Sequence, residues 1–217
     1  MSNIFRDFFY EVSSIRFKEP LAETLGAFQE DDAVLEYTFI ETVKMAGHAC
    51  PTVTGAYMSC QEALNVLYQD EIPIRGNIAV TVYGDPDEGV YGVIGQVFSF
   101  LTGAASTAGF KGLAQKYIRR DLLQFSSEKI DSEAMCFEFK RLDNEDRVLI
   151  RFYPRRIPYP TEKAIKLNEL MKKVLWDKAS DVEKKELQDL FIGKVRVMLV
   201  ERKEIQNWLV QGERTER

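Results

Sequence analysis

Between Pro51 and Tyr68 the apolar side chains Val53, Ala56, Tyr57, Cys60, Ala63, Leu64, Leu67 and Tyr68 recur at intervals of three and four. That spacing commits the stretch to a helix with one buried face. Pro51 suits its first turn, where no backbone N–H is needed. Gly55, one turn in, permits close approach by another part of the chain. A helix so apolar along one side needs a layer to cover it. The β-branched run Ile78–Tyr83 reads as a strand of that layer. Met135–Arg141 and Arg147–Tyr153 alternate in polarity around the polar turn 142–146, which is a hairpin pattern. The expected fold class is therefore α+β, a mixed or antiparallel sheet packed by helices.

The flanking segments are less regular. Phe5, Phe8, Phe9, Val12 and Ile15 predict a helical N-terminal segment over residues 1–30, with Pro20 starting a second short helix, Leu21–Phe28. Val34–Met45 carries both a strand-like and a helix-like pattern. A helix ending near Ala46, with Gly47 as its stop, is the expectation. Val90–Leu101 reads as a helix whose Gly92, Gly95 and Ser99 pack closely on a neighbour. Phe110-Lys111-Gly112-Leu113 is expected to lead into a helix through about Phe125. The break at Arg155, Arg156, Pro158 and Pro160 divides an α+β domain, residues 1–157, from a mainly helical C-terminal appendage, residues 158–217, packed on the same domain. In the appendage, Thr161–Lys178 and Asp181–Phe191 read as helices, Lys194–Glu201 as a last strand and Glu204–Val210 as a short helix. The tail from Gly212 is expected to be mobile.

Composition excludes several classes. Across 217 residues the net charge is −5, which argues against a nucleic-acid partner. No run approaches the ~18 continuous apolar residues of a membrane helix. Three cysteines at irregular spacing make a disulfide framework an unsuitable reading, and no signal pattern opens the chain. The expected location is the cytoplasm. The large apolar face of the N-terminal segment and the small-residue helix are candidate contacts of a homodimer.

The chemistry-bearing residues concentrate at the entrance of the first long helix. Gly47-His48-Ala49-Cys50-Pro51 holds the only histidine of the chain and one of its three cysteines. Imidazole and thiolate are ligands for zinc and other divalent transition metals. A helix N-terminus also favours a thiolate, so Cys50 as a nucleophile with His48 as its base is a secondary reading. Cys60 falls on the apolar stripe of its helix and Cys136 alternates inside a strand, and both read as core. Gln96 sits in an otherwise apolar helix and needs a partner, either at the site or on a backbone carbonyl. Arg151, Arg155 and Arg156 read as a solvated basic edge.

The blocks Lys44-Met45-Ala46-Gly47-His48-Ala49-Cys50-Pro51-Thr52 and Glu88-Gly89-Val90-Tyr91-Gly92-Val93-Ile94-Gly95-Gln96, followed by Thr102-Gly103 and Phe110-Lys111-Gly112-Leu113, resemble the FmdE-like family, named for a component of formylmethanofuran dehydrogenase. The resemblance covers roughly residues 35–155. It implies an α+β fold, homodimers and a bound divalent metal. It also implies His48 and Cys50 as metal ligands, with Glu88 third because it stands where the family has a cysteine. Asp85 and Asp87 are alternatives in the same turn. Lys111 matches a recurring lysine beside glycines, fit for an anionic ligand, and Gln96 matches the glutamine of the family's helix. Ala46 stands where the family often has a second histidine. The family's C-terminal Cys-x-x-Cys zinc ribbon is excluded, because no Cys or His follows Cys136. The function expected from the resemblance is a metal-binding protein, zinc being the first choice, with open coordination for a small ligand. The other readings are a non-enzymatic accessory or sensing subunit that binds a small ligand or cofactor, and a metal-free enzyme using Cys50.

Overall fold

The computed structural model describes residues 4–215. Its centre is a five-stranded mixed sheet of order β6-β3-β7-β8-β9. β3 (Ile78–Tyr83) pairs antiparallel with β7 (Met135–Arg141), and β7 with β8 (Arg147–Phe152). β6 (Leu123–Ser126) joins β3 in parallel, and β9 (Leu209–Gln211) closes the other edge against β8. The fold is α+β, as the alternating strands and the long amphipathic helix predict.

Alternation sorts the strands' side chains by face. Ile78, Val80 and Val82 of β3, Phe137 and Phe139 of β7, and Val148, Ile150 and Phe152 of β8 are buried. On that face lie α3 (Pro51–Tyr68) and α4 (Tyr91–Thr102). Gly55 of α3 fits directly on the Phe152 ring: a Cβ there would lie 2.4 Å from Cε1. Gly95 of α4 meets Phe125 of β6 in the same manner, while Gly92 lies against Pro86 O of the preceding turn.

Several expectations need correction. Residues 4–19 hold no α-helix. Phe8 and Phe9 stand on a single 3₁₀ turn, Asp7–Phe9, and Ile15–Lys18 is a strand, β1, with Ile15 and Phe17 buried and Arg16 exposed. The second short helix, α1, runs only Pro20–Thr24, and residues 1–3 lie outside the described structure. The mixed pattern after Asp32 resolves into both of its readings. β2 (Val34–Tyr37) pairs with β1, and α2 (Phe39–Ala46) follows. Thr38 divides them through a capping box with Glu41, and Gly47 ends α2 at φ 75°.

The stretch 110–125 holds no helix. β4 (Gly112–Leu113) and β5 (Tyr117–Ile118) form a tight hairpin that leads into β6. Gly112, at φ 88°, lies so close to Tyr117 O that no side chain would fit. In the C-terminal region α5 (Thr161–Leu175) and α6 (Asp181–Arg196) form as predicted, but Lys194–Glu201 is not a strand. The helix runs on through a π turn, Val197–Glu201, closed by Arg202 N on Val197 O. After α7 (Ile205–Trp208) the strand comes later, as β9. Of the tail, Gly212 and Thr215 are paired, with Gly212 N on Leu149 O and Thr215 and Arg147 exchanging backbone hydrogen bonds.

Candidate functional site

The loop 47–50 is defined from both sides. Gly47 ends α2 in the left-handed region, and Cys50 is the N-cap of α3. The Cys50 Sγ accepts a hydrogen bond from Val53 N at 3.4 Å, the role a serine or aspartate oxygen usually fills. The thiol is buried, while His48 beside it is exposed. His48 Nδ1 lies 2.9 Å from Ala46 O. A carbonyl only accepts, so Nδ1 is the donor, and Nε2 is the ring nitrogen left for another partner. Metal-ligating histidines are commonly oriented in this way, by a backbone carbonyl on the other ring nitrogen. No hydrogen bond joins His48 to Cys50.

One further polar atom stands near. Thr54, one turn after Cys50 on α3, is fully buried, and its Oγ1 has no hydrogen-bond partner among the described residues. Such an orphan is costly and leaves one protein group uncommitted on the helix turn that Cys50 opens.

The other expected residues are placed elsewhere. Glu88 is exposed in the turn between β3 and α4, where it lines a cavity of about 430 Å³ with Tyr83, Tyr91 and Cys136. Among the described residues no three His, Cys, Asp or Glu side chains form a group that could hold a metal ion, so Glu88, Asp85 and Asp87 are not gathered with His48 and Cys50. The donor set at the loop is one imidazole and one thiol. Both suit zinc, and they leave the rest of a coordination shell to other donors. Lys111 is exposed on the β4–β5 hairpin, where its carbonyl accepts Arg119 N at 3.2 Å. Gln96 is exposed on α4 and turns to solvent, away from the buried stripe of Ile94, Val97, Phe98 and Leu101, so the demand for a buried partner does not arise.

Two groupings escape sequence reasoning. Glu19, Arg75 and Arg119 come from three separate segments to form a buried ionic cluster. Arg119 Nη2 is 2.5 Å and Arg75 Nη1 3.0 Å from the two Glu19 oxygens. Arg75 also donates to Leu101 O and Phe100 O at the C-terminal end of α4. The second grouping is the cavity at Glu88, whose walls come from the ends of β3 and β8, the start of β7 and the segment after β6. Neither has a local sequence signal, because each depends on the strand order.

No protein-family model and no curated protein sequence matches this chain. No helix among the described residues is long and apolar enough to cross a membrane.

Proposed function

We propose that the His48–Cys50 loop is a divalent-metal-binding element, zinc being the first candidate, and that the protein works through a small ligand that shares the metal. The observation that carries the reading is the 2.9 Å contact of His48 Nδ1 with Ala46 O, which commits Nδ1 and leaves Nε2 of the exposed ring as the atom to ligate, two residues from a helix-capping thiol. The motifs that resemble the FmdE-like family support it from the sequence side. His48 supplies the exposed donor, and Cys50 supplies sulfur at the positive end of α3. Thr54 Oγ1 is a spare polar group one turn away. A bound divalent cation would supply Lewis-acid polarisation of a ligand oxygen. Homodimerisation, by which a second chain could add donors, and a cytoplasmic location belong to the same proposal.

The test is equilibrium dialysis of untagged protein against zinc, followed by elemental analysis. Wild type, His48→Ala and Cys50→Ser are compared, with circular dichroism as a check of folding. About one equivalent per chain, lost in both folded variants, is expected. A folded wild type that retains no zinc, or retention that neither substitution changes, would refute the proposal.

A further inference from the structure

The cavity beside Glu88 lies at the end of the sheet where β3, β6 and β8 finish and β7 begins. Tyr83, Cys136 and Arg151 form a cross-strand row there, on the face opposite to α3 and α4. Cys136, only 1% exposed, is its floor. Tyr83 and Tyr91 are partly buried walls. Gly84 lets the Tyr91 ring lie flat on the backbone, since a Cβ there would come within 2.5 Å of three ring atoms. Neither phenol has a hydrogen-bond partner among the described residues. The volume, about 430 Å³, is within the range of small-molecule sites.

The charges on the lining divide into two sets. Asp85 accepts from Ser127 Oγ at 2.6 Å. Asp131 accepts from Glu133 N, Ala134 N and the Tyr153 hydroxyl at 2.8, 3.1 and 2.8 Å. Glu133 pairs with Arg156. These acids are occupied by the protein itself. Glu88, Glu128, Lys129 and Arg155 make no side-chain hydrogen bond or ion pair among the described residues. The strand order gives the uncommitted set a polarity. Glu88 follows β3, Glu128 and Lys129 follow its neighbour β6, and Arg155 follows β8, beyond β7, so the β3–β6 side carries a net negative charge and the β8 side a positive one. The strands β3 and β8 are two spacings apart, about 10 Å, a distance that a small molecule and two side chains can bridge.

We propose that this cavity binds a small zwitterion, of which a free α-amino acid is the simplest kind. Glu88 and Glu128 hold its ammonium beside the two tyrosine hydroxyls, and Arg155 holds its carboxylate. A simple cation would leave the guanidinium unanswered, and a simple anion would face two carboxylates. Charge-assisted hydrogen bonds at both ends give such a ligand its orientation. The site shares no residue with the His48–Cys50 loop, so it stands or falls independently of the metal reading.

The experiment is isothermal titration calorimetry of the full chain with the standard α-amino acids in turn. The best binder is then repeated as its decarboxylated amine and its deaminated acid. Saturable binding is expected, with a loss of about tenfold or more on removal of either end. Glu88→Gln and Arg155→Ala, both at exposed positions, should each weaken the amino acid to a similar degree and leave the circular dichroism spectrum unchanged. No saturable heat at millimolar concentration would overturn the proposal. So would an amine that binds as tightly as its amino acid, or binding indifferent to both substitutions.

Discussion

Arg119 reaches Glu19 across 100 residues of sequence to make a 2.5 Å ion pair in which both side chains are almost entirely buried. The guanidinium occupies a hollow floored by Gly76 and Gly103, both at positive φ, and any Cβ at either position would strike it. Burial lowers the Arg119 pKa from the usual arginine value, and the Glu19 carboxylate opposes that shift. Removing Glu19 leaves the Arg119 charge buried and uncompensated, which costs about 3–5 kcal/mol, whereas removing Arg119 leaves Glu19 paired with Arg75. Glu19→Gln is expected to fall in that range by urea denaturation, and Arg119→Met to cost less. The double variant is expected to lose less than the sum of the two. A cost below about 1 kcal/mol for Glu19→Gln would show the cluster to be incidental.

Gly55→Ala should destabilise the protein by about 1–3 kcal/mol through overpacking. The new methyl would meet a Phe152 ring that is itself held in the core near Trp208, with centroids 6.4 Å apart. Gly47→Ala meets open space and bears only the left-handed backbone penalty, about 1–2 kcal/mol. Phe152→Leu should partly rescue Gly55→Ala and leave Gly47→Ala unaffected. Thermal melts of the three single and two double variants decide this.

Burial pushes the Cys136 thiol up from 9.0 to about 11 and raises Cys60 further. A raised acid keeps its proton in the folded chain after the unfolded chain has lost its own. The stability it contributes is present below pH 9 and lost as pH rises toward 11. Urea midpoints of wild type should therefore drop more steeply between pH 9 and 11 than those of Cys136→Ala. In native protein a thiol reagent should reach Cys50 before Cys60 or Cys136. Modification of Cys136 as fast as Cys50 would contradict the packing described above.

On the acid side, the Glu133 N–H, the Tyr153 hydroxyl and the Ala134 N–H hold the Asp131 carboxyl below its usual 3.8. The sign is opposite to that of the thiols. The contribution of Asp131 is present above pH 4 and is lost as pH falls through the depressed value. Asp131→Asn should thus be less stable than wild type at neutral pH, with the gap closing in acid. A gap that stays constant from pH 7 to pH 3 would dismiss the effect.

The sequence makes the elements with a single strong period legible. Pro51–Tyr68 forms a helix with the expected bounds, and the hairpin 135–153 differs only at its last residue. Where two periods overlap, the capping residue decides: Thr38 and Glu41 split Val34–Ala46 into strand and helix. The stretch 110–125 misleads because Gly112 and the buried Arg119 are explained only by tertiary contacts, with Tyr117 and with Glu19. At the candidate site, the position of Cys50 at the start of α3 follows from Pro51. The orientation of His48 does not, since it rests on a backbone carbonyl. Nor can spacing along the chain bring Glu88 to Tyr83 and Cys136, for those neighbours are set by register.

The strand β9 has a consequence for how the chain is made. Its partner β8 is complete by residue 152, yet its outer edge acquires Leu209–Gln211 only after more than fifty further residues have been synthesised. Until then a nascent chain on the ribosome carries an open sheet edge, and Phe152 lacks its Trp208 neighbour. Open edges and bare apolar seats are what chaperones hold and what aggregates grow from. The helical hairpin α5–α6 thus spans the interval in which this protein is most in need of protection.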